Sequence, residues 1–371
     1  MSGTSADGLD LSLSEITGSG HQTEFELIKF ATVSYSLTIK EMLKELLFDE
    51  NAAQAKVLRL QAELEQEWIQ QIKKQLESWN VPLDTIDLIA SHGQTVLHLP
   101  SDTDKSAATW QLVDGDLLAT KLGIITISDF RKKHIAAGYD GAPLAPLGER
   151  LLIRKEILPA VLLNLGGISN FTFLDNSGEN ALIPFSTDTG PASTLIDAAV
   201  QHYYPVLSYD ESGRIAASGK TNKSLLNRLK NHQFYQKRAP KSTGPEEFKL
   251  EWVFQIKKEL NPEINPEDFI ATLTHFSAWG IGHEIREHIG DRELTIYVSG
   301  GGVYNNTLLK LIGEELPGCD VKSSEQIGIP PDAKEAILFS VFANELVAGE
   351  GWLLPSGKRL TMGKISFPLN L

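Results

Sequence analysis

The chain has a single cysteine, Cys319, among its 371 residues. That excludes an intrachain disulfide framework and a zinc site built on cysteines, and it fits a reducing, cytoplasmic setting. No apolar run approaches the roughly 20 residues that a membrane-spanning helix needs. No basic start is followed by an apolar core, so nothing reads as a signal peptide. Positive charge is in deficit: 34 Lys and Arg face 48 Asp and Glu, a net charge of −14. Non-specific nucleic-acid binding rests on Lys and Arg neutralising phosphates, so this balance argues against it. A small anionic substrate stays open, because the local potential in a cleft can oppose net charge. The histidines show no His-Glu-x-x-His or comparable spacing, which argues against zinc. Low-complexity runs, long linkers and repeats of solenoid period are missing too.

What is present is ordinary for a globular protein: 42% hydrophobic and 22% charged residues. The length suggests two to three domains at about 150 residues each. Alternation at Leu9, Leu11 and Leu13 predicts a strand to Thr17, with Glu24 to Ser34 as its hairpin partner. Val57, Leu60, Leu64, Trp68 and Ile72 recur at helical spacing within a stretch from Ile39 to Trp79, broken near Asp49 to Asn51. Further strands are expected at Ile86 to Ser91, Ile124 to Ile127, Val161 to Asn164 and Leu294 to Val298. Helices are expected at Pro191 to Tyr203, with Pro in the first turn, and at Asp268 to His288 and Lys334 to Val347. Strands alternating with helices imply an α/β architecture.

Three turns are rich in Gly and small hydroxyl residues. They are Ser2-Gly3-Thr4-Ser5-Ala6-Asp7-Gly8-Leu9-Asp10, Asn164-Leu165-Gly166-Gly167-Ile168-Ser169-Asn170 and Ser299-Gly300-Gly301-Gly302-Val303-Tyr304-Asn305-Asn306. Gly lets backbone N–H groups approach a ligand closely, and such turns make anion-binding concavities. Asp7 and Asp10 read either as turn formers or as carboxylates holding metal or water near phosphate. Asp188, in Asp188-Thr189-Gly190-Pro191, reads either as a helix N-cap or as a general base. Ser91-His92-Gly93-Gln94-Thr95 follows a buried strand. Neighbours on a strand point to opposite faces, so His92 and Gln94 suit polar ligand contacts better than a Ser/His nucleophile pair. Gly213 to Thr221 imitates a P-loop, but five residues separate its glycines where the motif has four.

Together these motifs resemble the anhydro-N-acetylmuramic acid kinase family. The first turn looks like that family's opening signature. Ser91 to Thr95, Asp129-Phe130-Arg131, Gly141-Ala142-Pro143-Leu144, Asn164 to Asn170, Asp188 to Pro191, Ala271-Thr272-Leu273-Thr274, Gly300 to Gly302 and Lys334-Glu335-Ala336 follow in the same order. The resemblance spans essentially the whole chain. It implies a two-lobed, actin-like ATPase (sugar kinase/hexokinase-type) fold with an interlobe cleft. Lobe I is expected at 1–128 with about 337–371, and lobe II at 129–336.

It also implies that ATP, Mg²⁺ and water open 1,6-anhydro-N-acetylmuramic acid and phosphorylate it, in cell-wall recycling. Asp188 is then the catalytic base. Gly3, Thr4, Ser5, Ala6, Asp7, Gly8, Leu9, Asp10, Gly166, Gly167, Gly300, Gly301 and Gly302 bind ATP and its phosphates. Asp7 stands near Mg²⁺, and His92, Gln94, Arg131 and Glu335 bind the sugar. Arg131 suits the lactyl carboxylate, a bidentate partner for guanidinium. A homodimer is compatible with the resemblance; a nucleic-acid or membrane partner is not expected. Such enzymes carry a short strand before the first signature, on which this chain opens directly; an upstream start would account for that. The chain also departs from the family pattern at His134, Tyr139, Asp140, Ala192, Ser193 and Pro245. Two alternatives stay open: a kinase for another 1,6-anhydro sugar such as levoglucosan, and a sugar or nucleotide sensor without catalysis.

Overall fold

The alternating leucines do form the first strand of the computed structural model, which describes all residues except 4–7, 48, 50, 103, 176–183, 261–262, 355 and 370–371. Strand β1 (Gly8–Thr17) pairs antiparallel with β2 (Glu24–Ser34), Leu9 opposite Val33, with a bulge at Leu13/Ser14. Two helices follow, α1 (Leu37–Leu46) and α2 (Gln54–Trp79). The Ser36 hydroxyl caps α1, and Asn80, at φ 56°, ends α2 in the left-handed conformation that a helix C-terminus favours. Next come β3 (Leu88–Ser91), β4 (Gln94–Leu99), β5 (Ala108–Leu112), α3 (Gly115–Leu122), β6 (Ile125–Ser128), α4 (Arg131–Ala136) and α5 (Ala145–Leu152).

Strands β7 (Ala160–Leu165), β8 (Ile168–Leu174) and β9 (Phe185–Pro191) come next, then helices α6 (Thr194–Tyr203), α7 (Arg214–Ser218), α8 (Lys223–Leu229), α9 (Leu250–Leu260) and α10 (Pro266–Ile289). After them come β10 (Thr295–Ser299), α11 (Asn306–Glu315), β11 (Asp320–Ser323), α12 (Lys334–Ala348), β12 (Trp352–Leu353), β13 (Arg359–Leu360) and β14 (Lys364–Ser366).

The chain divides into two units, Met1–Arg154 with Ala333–Leu371 and Lys155–Asp332. The sequence places the boundaries at 128/129 and 336/337. Residues 129–154 and 333–336 instead pack with the first unit. There a buried Lys334–Glu149 pair at 2.9 Å ties α12 to α5.

The first unit holds its strands in separate sheets among the described residues. They are the β1–β2 hairpin, the order β14-β6-β3, the β4–β5 hairpin and the short β12–β13 pair. Its core joins Leu9 to Ile39, Leu43, Leu60, Leu64 and Trp68. A cavity of about 510 Å³ lies beside β1 and β3, lined by residues of both strands and of α2 and α12. The second unit has one five-stranded sheet, β11-β10-β7-β8-β9. Strands β11, β10 and β7 are parallel; β8 is antiparallel to β7 and β9 to β8. Val161, Leu163, Leu165, Phe171, Ile296 and Val298 bury one sheet face with Ala278, Ile281 and Ile285 of α10. Each of the Val, Leu, Ile and Phe side chains contributes about 1.5–3 kcal/mol on burial.

The helix expected from Pro191 begins at Thr194. Pro191 is the last residue of β9, and Asp188 sits inside that strand rather than at a helix cap.

Candidate functional site

In the second unit, the parallel strands β7 and β10 both end in glycine turns on the same edge. Open α/β sheets bind ligands beyond the carboxyl ends of their strands. Ser299 of β10 lies opposite Asn164 of β7, Asn164 opposite Asn170 of β8, and Asn170 opposite Asp188 of β9. Cross-strand partners project from the same face, so these four polar side chains form one row. The alternate positions, among them Leu163, Leu165 and Phe171, face the α10 core.

The two turns differ in why they need glycine. Gly300 has φ +81°, and a Cβ there would lie 2.8 Å from Asn164 Oδ1 and from the Leu165 carbonyl oxygen. A Cβ on Gly302 would lie 2.6 Å from that of Leu165. These two glycines let the 3-10 turn Gly301–Tyr304 close over the end of β7. Gly301 is exposed, and a Cβ there would meet nothing within 4 Å. The Gly166 and Gly167 carbonyls accept the N–H groups of Ser193, Ala192 and Thr194, fixing the joint between β9 and α6.

Asp188 is tied twice to a segment more than fifty residues away. Its backbone N–H donates to the Lys241 carbonyl at 3.0 Å, and its Oδ2 accepts from the Thr243 N–H at 2.8 Å. Burial pushes its carboxyl up to about 6, partly opposed by the Thr243 N–H, which favours the ionised form. A carboxylate tuned to that range is ionised at neutral pH yet basic enough to take a proton from water.

In the first unit, Arg131 opens α4, and its Nε donates to His92 Nε2 at 3.0 Å. His92 Nδ1 lies 3.0 Å from the Gly93 carbonyl. With Nδ1 the donor and Nε2 the acceptor, both nitrogens of a neutral imidazole are engaged. Burial, aided by the Arg131 charge, lowers His92 to about 3. The ring packs on Phe339 with centroids 4.6 Å apart. Burial lowers Arg131 while the nearby Glu335 carboxylate opposes that shift.

Gln94 is fully buried. Its Oε1 accepts from the Ser2 hydroxyl, and its Nε2 donates to the carbonyls of Gly3 at 3.2 Å and Thr95 at 3.1 Å. Ser2 also bonds Tyr35 at 2.5 Å, and Trp68 Nε1 donates to the same phenol at 3.0 Å. His92 and Gln94 therefore support Arg131 and the opening segment, with their own polar atoms already used.

Thr4, Ser5, Ala6 and Asp7 lie outside the described residues. Gly8, Leu9 and Asp10 belong to β1 rather than to a turn. Leu9 is core, and Asp10 Oδ1 accepts from the Thr32 hydroxyl at 2.6 Å across the hairpin. Glu335 is exposed near the start of α12. No group of three or more His, Cys, Asp or Glu side chains among the described residues is arranged to hold a metal. The P-loop imitation is structural: a Cβ on Gly219 would strike the Glu267 carbonyl, and Gly213 packs against Asn305 and Thr307.

The departures from the family pattern also form contacts. His134 stacks on Tyr139 at 4.7 Å and accepts the Gly141 N–H at 3.1 Å, while Asp140 accepts from the Ser101 N–H at 3.0 Å. Ala192 is fully buried, and its carbonyl accepts from the Ser277 hydroxyl at 2.8 Å. Sequence reasoning missed the anchoring roles of Lys241 and Thr243. The run Lys241-Ser242-Thr243-Gly244 is visible in the chain, but nothing local says that it pairs with Asp188.

Comparison with known proteins gives a consistent picture. The model of the anhydro-N-acetylmuramic acid kinase family matches residues 1–359. The chain is 41% identical to the anhydro-N-acetylmuramic acid kinase of Pseudoalteromonas atlantica, over 99% of this chain and 94% of that protein. Against the proteins of the same name from Pseudoalteromonas translucida and Caldanaerobacter subterraneus, identity is 39% and 33%, each over 99% of this chain and 94% and 95% of theirs. None of the described helices is long and apolar enough to cross a membrane.

Proposed function

The chain belongs to the anhydro-N-acetylmuramic acid kinase family, and we propose that it opens 1,6-anhydro-N-acetylmuramic acid with water while phosphorylating it from ATP. The observation that carries this reading is Asp188: a carboxylate held by a backbone N–H, raised to about 6 by burial, at the glycine-turn edge of the sheet. Water attacks the anomeric carbon as the bond from that carbon to the bridging 6-oxygen breaks. The 6-oxygen takes the γ-phosphoryl group from the opposite side, and ADP leaves. Asp188 accepts the proton that the attacking water must lose. The products are ADP and N-acetylmuramic acid 6-phosphate.

Phosphoryl transfer needs positioning and charge neutralisation more than covalent chemistry from the protein. By the family resemblance, the turns at Gly166–Gly167 and Gly300–Gly302 bind the nucleotide, and the opening segment, whose Gly3 carbonyl Gln94 holds, binds its phosphates. Mg²⁺ would neutralise charge on the transferring phosphates. It is commonly held by one or two carboxylates plus the phosphates themselves, and the family resemblance puts Asp7 near it. Arg131, with Nε committed to His92, keeps its terminal nitrogens for the lactyl carboxylate.

The test is product analysis by mass spectrometry after incubation with Mg-ATP and the anhydro sugar in ¹⁸O-labelled water. The expected product is a sugar phosphate labelled at its anomeric hydroxyl, formed one for one with ADP. ADP with unlabelled sugar phosphate would overturn the coupled mechanism. Turnover of levoglucosan alone would shift the substrate to an anhydro sugar lacking the lactyl group. Nucleotide binding without any product would make the chain a sensor.

A further inference from the structure

The loop that holds Asp188 is itself anchored by a buried ion pair that the proposed reaction does not use directly. Lys241 Nζ lies 2.7 Å from Glu284 Oε1 on α10, with side chains only 5% and 1% exposed. The same ammonium donates to the carbonyls of Phe234 at 3.1 Å and Lys237 at 3.3 Å, and sits 4.4 Å over the Phe234 ring. Around its backbone, Thr187 Oγ1 accepts the Lys241 N–H at 3.0 Å and donates to the Lys241 carbonyl at 3.2 Å. Two residues later, Thr243 reaches Asp188 with its N–H and Glu247 with its hydroxyl, at 2.6 Å. Glu284, Lys241, Thr243 and Asp188 are therefore linked in sequence, from a rigid helix to a reactive carboxylate.

We infer that Lys241 and Glu284 are positioning residues for Asp188: their ion pair keeps the 241–243 segment placed so that the Thr243 N–H stays on the carboxylate. The inference rests on Asp188 being the base. A buried charge whose partner is removed is poorly tolerated, so loss of either residue alone forces the segment to move. Replacing both with apolar side chains of similar volume relieves the charge and keeps the packing. Without the Thr243 N–H, the ionised form of Asp188 loses a stabilising bond and its carboxyl rises further.

Other charged and titratable groups surround the pair. They are His283, Arg286, Glu287 and His288 on α10, Tyr235 and Lys237 near the ring that receives Lys241, and Glu247. His288 Nε2 lies 3.3 Å from Glu284 Oε2, so it is the control.

The experiment measures kcat against pH for the wild type, Glu284→Gln, the double variant Lys241→Met/Glu284→Met, and His288→Gln. The Asp188 carboxyl is titrated in parallel by ¹³C NMR. In Glu284→Gln the acid limb should move up by about one pH unit, the effect of losing one backbone donor. That lowers kcat about fivefold at pH 6 and little at pH 8. KM for ATP should hold, the double variant, which keeps the packing, should show a smaller shift in the same direction, and His288→Gln should leave the limb in place. If kcat falls equally at every pH and the Asp188 titration does not move, the pair is only structural and the inference is overturned. If the Asp188 titration rises while the acid limb stays, the positioning role stands and the assignment of Asp188 as base falls.

Discussion

Among the described residues, the second unit carries the proposed base on one five-stranded sheet, whereas the first distributes its strands among separate sheets beside a cavity of about 510 Å³. The contrast shows two ways of holding a site. In the second unit, backbone ladders place Ser299, Asn164, Asn170 and Asp188 in a row, and the glycine turns follow from where β7 and β10 end. In the first unit, single side chains do the placing: Gln94 holds Ser2 and Gly3, and His92 holds Arg131. A ladder spreads its load over many bonds, while a lone buried glutamine concentrates it. Changes in the second unit should therefore cost chemistry while sparing structure. Changes in the first should cost local order and ligand affinity together.

The largest expected effect tests the first half of that statement. Asp188→Asn keeps the volume and the Thr243 contact but cannot accept a proton at neutral pH. Turnover should fall by about 10²- to 10⁴-fold, the usual contribution of a general base. ATP affinity by calorimetry should stay at the wild-type level. Near-normal turnover would remove Asp188 from the chemistry, and lost ATP binding would mean that the row is not held by its ladder.

The second effect tests the other half. Gln94→Ala removes three polar contacts and leaves the Ser2 hydroxyl and the Gly3 carbonyl to find other partners. Unpaired buried polar groups cost about 1–3 kcal/mol. Chemical denaturation should show that loss, and KM for ATP should rise while kcat changes less. A variant with full stability and unchanged KM would show that the opening segment is held by something other than Gln94.

How much of this was legible beforehand follows the same division between local and distant. Strand β1, helix α2 and helix α10 announce themselves through apolar spacing, because each buries one face against a core. The β8 and β9 strands do not. Thr187-Asp188-Thr189-Gly190-Pro191 is polar and ends in a Gly-Pro pair, so it reads as a turn before a helix at Pro191, whereas it is a strand and the helix begins at Thr194. Residue type and family resemblance single out Asp188, His92, Gln94 and Arg131. Their hydrogen bonds are long-range: Thr243 is 55 positions from Asp188, and Ser2 is 92 from Gln94. Such pairings leave no local trace. Residue type suggests ligand contacts for His92 and Gln94, and only the fold shows that His92 also holds Arg131 and Gln94 the opening segment.

The smallest effect sharpens the comparison by sign. His92 is held at about 3 in the fold, well under the ordinary imidazole value, so the unfolded chain binds its proton first. Its contribution to stability is complete above about pH 6.5 and is lost as pH falls towards 3. Asp188 runs the other way: raised to about 6, it takes up a proton in the fold before it does in the unfolded chain. Its penalty is complete above about pH 6 and is relieved as pH falls towards 4. Each pH unit inside these windows is worth about 1.4 kcal/mol. Going from pH 7 to pH 5 should therefore weaken the first unit around β3 and β4 by about 2 kcal/mol and strengthen the second around β9 by about 1 kcal/mol. Hydrogen exchange corrected for intrinsic rates reads the two regions separately. His92→Gln should flatten the first trend and Asp188→Asn the second, each leaving the other unit's response unchanged. If β3 and β9 respond to acid with the same sign, the two sites are not tuned by burial of these two groups, and the division of labour between ladder and lone side chain loses its electrostatic half.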